Sequence, residues 1–268
     1  MKNMLAVVIA IGAAMATLSL SLSGETRTQT SSARKNVQAV VIELFTSEGC
    51  STCPPADSLL QNLHSSQPVD GANIIALEEH VDYWNQEGWT DPYSSSEWTL
   101  RQQEYVARFK DKEPYTPQMI VDGQTQFLGD EAQAKQLIQQ AATQPKTEIV
   151  LAAENFSADG AQLKLHVGKL TGNTEQDSAE VWVAVVECEL QSNVGAGENA
   201  GKTLRHAPVL RSLRKMGVAS LKGDSAFETS TRVKFKTDWK TKNLRVVAFV
   251  QEKKSMRILG AASIGVSN

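Results

Sequence analysis

One short stretch constrains this chain more than any other. An apolar, β-branched run from Gln38 to Thr46 leads directly to Cys50-Ser51-Thr52-Cys53, and a helical pattern starts at once after it. Ala56, Leu59, Leu60 and Leu63 share one helical face, and Pro54 and Pro55 fall in the first turn, where missing N–H groups cost least. A run of continuous apolar residues fits a strand buried on both faces. The cysteines are therefore expected at the mouth of a helix, just beyond a central strand. Two sulfurs spaced this way can close a small disulfide ring, and the helix end supplies free N–H groups and partial positive charge that favour thiolate. Cys50, expected to be the more exposed, would attack, and Cys53 would resolve the mixed disulfide. Glu48 opposes this, because a nearby carboxylate raises a thiol pKa. Two other readings stand beside the redox one: a permanently oxidised staple, or half of a zinc site, for which a second cysteine pair is missing.

The compartment bears on the choice. Met1-Lys2-Asn3 precedes an apolar run from Met4 to Leu22, followed by Ser23-Gly24 and a polar stretch, which is the shape of an export signal over 1–24. The run is also about as long as one membrane-spanning helix, so an uncleaved anchor competes with cleavage, and this is the one membrane contact expected. Residues 25–36 are Ser/Thr/Gln-rich and read as a flexible lead-in. A periplasmic or secreted location exposes thiols to oxidation, so disulfides can persist. With a net charge of -3 and no dense Lys/Arg block, nucleic acid is not an expected partner.

Two domains are expected, 37–145 and 146–268. In the first, strand Ala72 to Leu77, helix Ser95 to Phe109, hairpin strands Gln118 to Val121 and Thr125 to Leu128, and helix 130–143 complete a β-α-β-α-β-β-α order, a central sheet flanked by helices. Arg101 is assigned to the wet side of its helix. After Pro145 the segments 148–155, 161–168, 180–190, 229–236, 244–251 and 256–264 are β-rich, which predicts a smaller antiparallel, sandwich-like domain. Residues 202–219 fit either a strand pair or an amphipathic helix.

A resemblance sharpens the reading. The run Ile42 to Asp57, the segments His80-Val81-Asp82-Tyr83-Trp84 and Gly88-Trp89, and Tyr115-Thr116-Pro117-Gln118-Met119 follow, in order, the pattern of a secreted family known as domain of unknown function 1223. The resemblance implies a thioredoxin-like fold followed by a β domain, and no particular reaction. The wider thioredoxin superfamily implies a cis-proline opposite the cysteines that holds extended substrate backbone, and Thr116-Pro117 occupies that place. Gly49 stands where thioredoxin itself has Trp, so thioredoxin's own partners do not carry over.

Among the remaining candidates, His80 and Asp82 follow a strand and can reach the sheet edge where the cysteines lie. They would relay protons or fix the aromatic insert by hydrogen bonds. His80 with Cys50 and Cys53 is a weaker copper(I) set. Trp84 would line a substrate groove or pin its loop. Cys188 reads as a buried, inert thiol, and Arg205, His206, Arg211, Arg214 and Lys215 as a solvated basic face. Three functions follow: a thiol-disulfide oxidoreductase acting on protein thiols or disulfides without an organic cofactor, a binding or assembly module for an exported partner with a structural disulfide, and a copper(I) carrier.

Overall fold

The computed structural model describes residues 27–30, 37–171, 178–220 and 225–266. The expected export signal at 1–24 lies outside them. In chain order the elements are β1 (Arg27–Thr30), β2 (Gln38–Thr46), α1 (Pro54–Ser66), β3 (Ala72–His80), α2 (Ser96–Phe109), β4 (Gln118–Val121), β5 (Thr125–Phe127), α3 (Glu131–Ala142), β6 (Ile149–Ser157), β7 (Gly160–Gly168), β8 (Ala179–Glu187), β9 (Gln191–Asn193), β10 (Thr203–Arg205), β11 (Val209–Ala219), β12 (Ser225–Lys234), β13 (Leu244–Glu252) and β14 (Ile258–Gly265). The fold is mixed α/β, with a large central sheet, few helices and additional antiparallel sheets. Among the described residues no helix is long and apolar enough to cross a membrane.

The central sheet has eight strands in the order β14-β13-β8-β11-β3-β2-β4-β5. β2 and β3 run parallel, joined by α1, and β4 pairs antiparallel to the other edge of β2. β11 touches β3 in parallel at Val209↔Glu78 and runs antiparallel to β8 along most of its length. Among the described residues the α-helices do stop near 145, yet the strands of the later half extend the sheet of the earlier half. The sandwich forms between that extension and a second sheet, β1-β6-β7-β12. β1, inside the segment read as a flexible lead-in, is an edge strand there, pairing with β6 from Arg27↔Ala153 to Thr30↔Val150. The ambiguous stretch 202–219 is strand, as β10 and β11.

Period-two alternation sorts the apolar residues into layers. Val40, Ile42, Leu44, Ile74 and Ala76 face α1 and α3, where Leu60, Leu63 and Ile138 complete one core. Val41, Ile75, Leu77, Val247 and Phe249 face the other way and pack with Trp98 of α2. Val181, Val183, Val246 and Val250 close on Leu151, Leu163 and Leu165 of the second sheet. Each such side chain contributes about 1.5–3 kcal/mol relative to an exposed one. β2 and β3 are thus buried on both faces, which leaves their C-terminal ends as the place where chemistry can collect.

Arg101 departs from its expected position. It is only 6% exposed and lies against the sheet, Nε donating to Glu43 Oε1 at 2.6 Å. Glu43, a carboxylate inside an otherwise apolar strand, requires a buried cation, and α2 supplies one.

Candidate functional site

Cys50 and Cys53 form a disulfide at the N-terminus of α1, where the N–H groups of Ala56 and Asp57 donate to Cys53 O at 2.9 and 3.1 Å. Both cysteines are 0% exposed, so Cys50 is as buried as Cys53, contrary to the expectation that it is the open, attacking sulfur. Ser51 and Thr52 between them are exposed. The cover comes from the loop between β9 and β10. Asn199 Nδ2 donates to Glu48 O at 2.8 Å and to Cys50 O at 2.9 Å, and Ser51 N–H donates to Glu198 Oε2 at 3.0 Å. Gly195 and Gly197 rest on the ring and Cβ of Trp89, where an added Cβ would come within 3.1 and 3.2 Å. Nothing in the sequence pattern placed Asn199 over the cysteines, since the approach spans about half the chain.

Gly49 has a steric cause. A Cβ there would lie 3.3 Å from Trp84 Cβ and 3.4 Å from Trp84 O, so a larger residue would push the insert away. Trp84, half-buried, reaches on to Thr116, its Nε1–H donating to Oγ1 at 2.8 Å. The Thr116–Pro117 peptide bond is cis and Pro117 is buried. Because Phe45 pairs with Gln118, Pro117 lies at the end of β4 across from Thr46, beside the loop that carries Cys50. The structure therefore gathers Cys50, Cys53, Trp84, Thr116 and Pro117 at one edge of the sheet.

His80 is also at this edge, in register with Thr46. Its partner is Asp91, not Asp82. His80 Nδ1 lies 2.7 Å from Asp91 Oδ2 and Nε2 lies 3.1 Å from Glu78 Oε1. Asp82 instead accepts from Thr99 Oγ1 at 2.6 Å and pins the insert to α2. His206, assigned to a solvated basic face, is 1% exposed, with Nδ1 3.1 Å from Glu78 Oε1 and Nε2 2.9 Å from Glu48 Oε1. Glu48, expected to act on the thiol, is held by His206 and by Trp89 Nε1–H, which donates to its Oε2 at 2.8 Å. Among the described residues His80 clusters with Glu78 and His206, and the copper(I) set of His80 with the two cysteines is not brought together.

The electrostatics follow from burial and pairing. Burial opposes a charge on His80, but the charge and hydrogen bond of Asp91, then those of Glu78, outweigh it and hold the ring well above the usual imidazole range. His206 is likewise opposed by burial and pushed up to about 9 by the hydrogen bonds that Glu48 and Glu78 accept from it. Burial would raise Glu78, yet the two imidazoles draw it below the ordinary carboxylate value. Asp57, under the cysteines on α1, is raised to about 8 by burial and then by the charge of Glu78, against the hydrogen bond that Thr46 Oγ1 donates at 2.6 Å. Cys188, expected to be buried, is free and only half-buried just past the end of β8, and burial pushes its thiol up.

Of this cluster the sequence pointed to His80 and Glu48. Glu78, Asp91 and His206 were missed. The available signal was Leu77-Glu78-Glu79-His80, three polar residues continuing an apolar strand toward its C-terminal end, where ligands collect in α/β sheets.

The fold has counterparts among solved structures. A crystal structure of a protein from Agrobacterium tumefaciens is similar with a TM-score of 0.63 and 23% identity, covering 88% of this chain and 97% of that one. HBP35 of Porphyromonas gingivalis is similar with a TM-score of 0.60 and 16% identity, covering 85% of this chain and 75% of that one. At these identities the likeness is one of fold. No curated protein matches the chain. The family described as "Protein of unknown function (DUF1223)" matches residues 41–251, which take in the cysteine pair, the insert, Pro117 and the covering loop, and the chain belongs to that family.

Proposed function

We propose that this protein is an exported, thioredoxin-like thiol–disulfide exchange protein whose cysteine pair rests under a removable cover. The observation that carries the reading is the placement of the pair, between the C-terminal end of a central strand and the N-terminus of α1, in a sheet segment ordered β3-β2-β4-β5 with Pro117 alongside. The apolar run at Met4 to Leu22 supports export. In exchange, the Cys50 thiolate attacks a partner disulfide and one partner sulfur leaves as thiolate. Cys53 then attacks Cys50, releasing the second partner thiol and re-forming the Cys50–Cys53 bond, so two electrons pass to the partner. The reverse sequence oxidises partner thiols. Thr116 and Trp84, joined by their hydrogen bond, flank the groove in which partner backbone would lie.

The cover makes opening a necessary step. Asn199 contributes two hydrogen bonds of about 1 kcal/mol each, Glu198 accepts a third from Ser51 N–H, and Gly195 and Gly197 pack on Trp89. Opening at that cost is well within the range of local motions. A second reading is favoured by the complete burial of both sulfurs: a permanent staple in a binding module. Reduction by dithiothreitol, followed by alkylation and mass analysis, separates the two. Exchange predicts reversible reduction of the folded protein and, for Asn199→Ala, a rate about thirtyfold faster, as the loss of about 2 kcal/mol of cover would give. A staple predicts a pair that resists reduction until the protein unfolds, at the same rate in both proteins.

A further inference from the structure

The two histidines beside the cysteine loop present a problem of lone pairs. An ionised carboxylate only accepts hydrogen bonds, so the ring nitrogens facing Asp91 and Glu48, His80 Nδ1 and His206 Nε2, carry the protons of the neutral rings. With both rings neutral, as an ion between them would have them, His80 Nε2 and His206 Nδ1 are lone pairs that point at Glu78 Oε1 from 3.1 Å, whereas without an ion protons on these two nitrogens satisfy the same contacts. Three acceptors converge on one point. Such an arrangement requires a positive centre between them, either two further protons or one metal cation.

Two observations favour the metal. Glu78 is 0% exposed and its second oxygen, Oε2, has no hydrogen-bond partner among the described residues, which is costly for a buried carboxylate and is relieved by coordination. The outer partners are also those of a ligand set: each histidine that binds a metal typically donates its other N–H to a carboxylate, and here Asp91 and Glu48 accept those two bonds. The spacing agrees as well. Donors around a tetrahedral zinc at about 2.0–2.2 Å lie about 3.4 Å from one another; here each ring nitrogen is 3.1 Å from Glu78 Oε1, and the three donors lie within 4.8 Å of one another.

We infer that Glu78, His80 and His206 form a binding site for one divalent transition-metal ion, with zinc as the fitting ion. Two imidazoles and a carboxylate suit zinc, and the absence of a thiolate from the set disfavours copper(I). Glu78 supplies Oε1 and Oε2, so three side chains offer four donor atoms. The ion replaces the protons the cluster would otherwise need. Because Glu78 and His80 end β3 while His206 precedes β11, it clamps the two halves of the chain together, and through His206 it fixes Glu48 two residues from Cys50. The inference stands whether or not the cysteines exchange disulfides.

The test uses the full exported chain, purified, stripped by dialysis against a chelator and titrated with zinc chloride, with metal counted by mass spectrometry and thermal unfolding followed in parallel. One zinc per chain and a rise in melting temperature are expected. Glu78→Gln, close in shape to the native residue, is expected to weaken binding by about tenfold or more, whereas the Cys50→Ser/Cys53→Ser double variant keeps one zinc per chain. Cobalt(II) in place of zinc is expected to give visible bands of a nitrogen/oxygen site with no thiolate charge-transfer band. Zinc that leaves the melting temperature of the stripped native protein unmoved overturns the proposal, a result that needs no variant to fold. Equal zinc affinity in folded Glu78→Gln, or a thiolate band with cobalt, overturns it too.

Discussion

Glu78 and Glu79 are neighbours on β3, both 0% exposed, and alternation sends them to opposite faces of the sheet. On the Glu79 face the cation is permanent. Arg101 pairs with Glu43 at 2.5 Å and with Glu79 at 3.6 Å, donates to Gln251 Oε1 at 3.2 Å and stacks over Tyr105, which itself donates to Glu43. Burial, then the charge of Glu43, hold the Glu79 carboxyl well above its usual value. On the Glu78 face the partners are imidazoles, whose positive charge is exchangeable, coming from bound protons or from an ion that takes their place. One face carries its cation in its own side chains, although both Glu79 oxygens lack a hydrogen-bond partner among the described residues. The other is acceptor-rich and lies beside the cysteine loop, which is the condition for binding something.

The difference can be attacked first at its permanent charge. Arg101→Met leaves Glu43 and Glu79 buried without their cation, and removing one partner of a buried pair costs about 3–5 kcal/mol. Urea unfolding is the measurement, and a loss below about 1 kcal/mol would mean that the Glu79 face does not depend on Arg101. The folded fraction of this variant should still take one zinc, because the two clusters lie on opposite faces.

On the Glu78 face the corresponding lever is the metal. At zinc near one hundred times its dissociation constant the native state should gain about 2.7 kcal/mol relative to stripped protein. Asp91→Asn, which removes the carboxylate that orients His80, should weaken zinc about 10- to 100-fold in calorimetric titration without losing the site. A variant that binds as tightly as the parent would show that His80 needs no such support.

How much of this was legible in the sequence depends on the range of the interaction. Strand, cysteine turn and helix at 38–66 are local patterns, and so are the caps: Ser95 accepts from Glu97 N and Asp130 from Gln133 N where the helices α2 and α3 begin. Thr116–Pro117 was legible because it stands directly before β4. Long-range pairing was not. Asn199 reaches Cys50 across 149 positions and His206 reaches Glu48 across 158, and a period in the local sequence carries no trace of such contacts. Arg101 and His206 were read as solvated by their charge alone, since the carboxylates that receive them, Glu43 and Glu78, sit in strands whose apolar neighbours hid them. The break near 145 marks a real change from helix to strand, but no local pattern shows that β11 will cross back to lie beside β3.

The smallest expected effect is the sharpest discriminator between Asp82 and Asp91 of the insert. Asp82 accepts from Thr99 Oγ1 at 2.6 Å, and its own N–H donates to the same oxygen at 3.2 Å, so its work is to hold the start of the insert on α2. Asp82→Asn keeps an acceptor in place and should cost about 1 kcal/mol or less. Its zinc affinity should match the parent within about twofold, because it shares no partner with the Glu78 cluster. If Asp82→Asn instead weakened zinc as much as Asp91→Asn does, the histidine would be oriented by the insert as a whole and the assignment of Asp91 as its specific partner would fail.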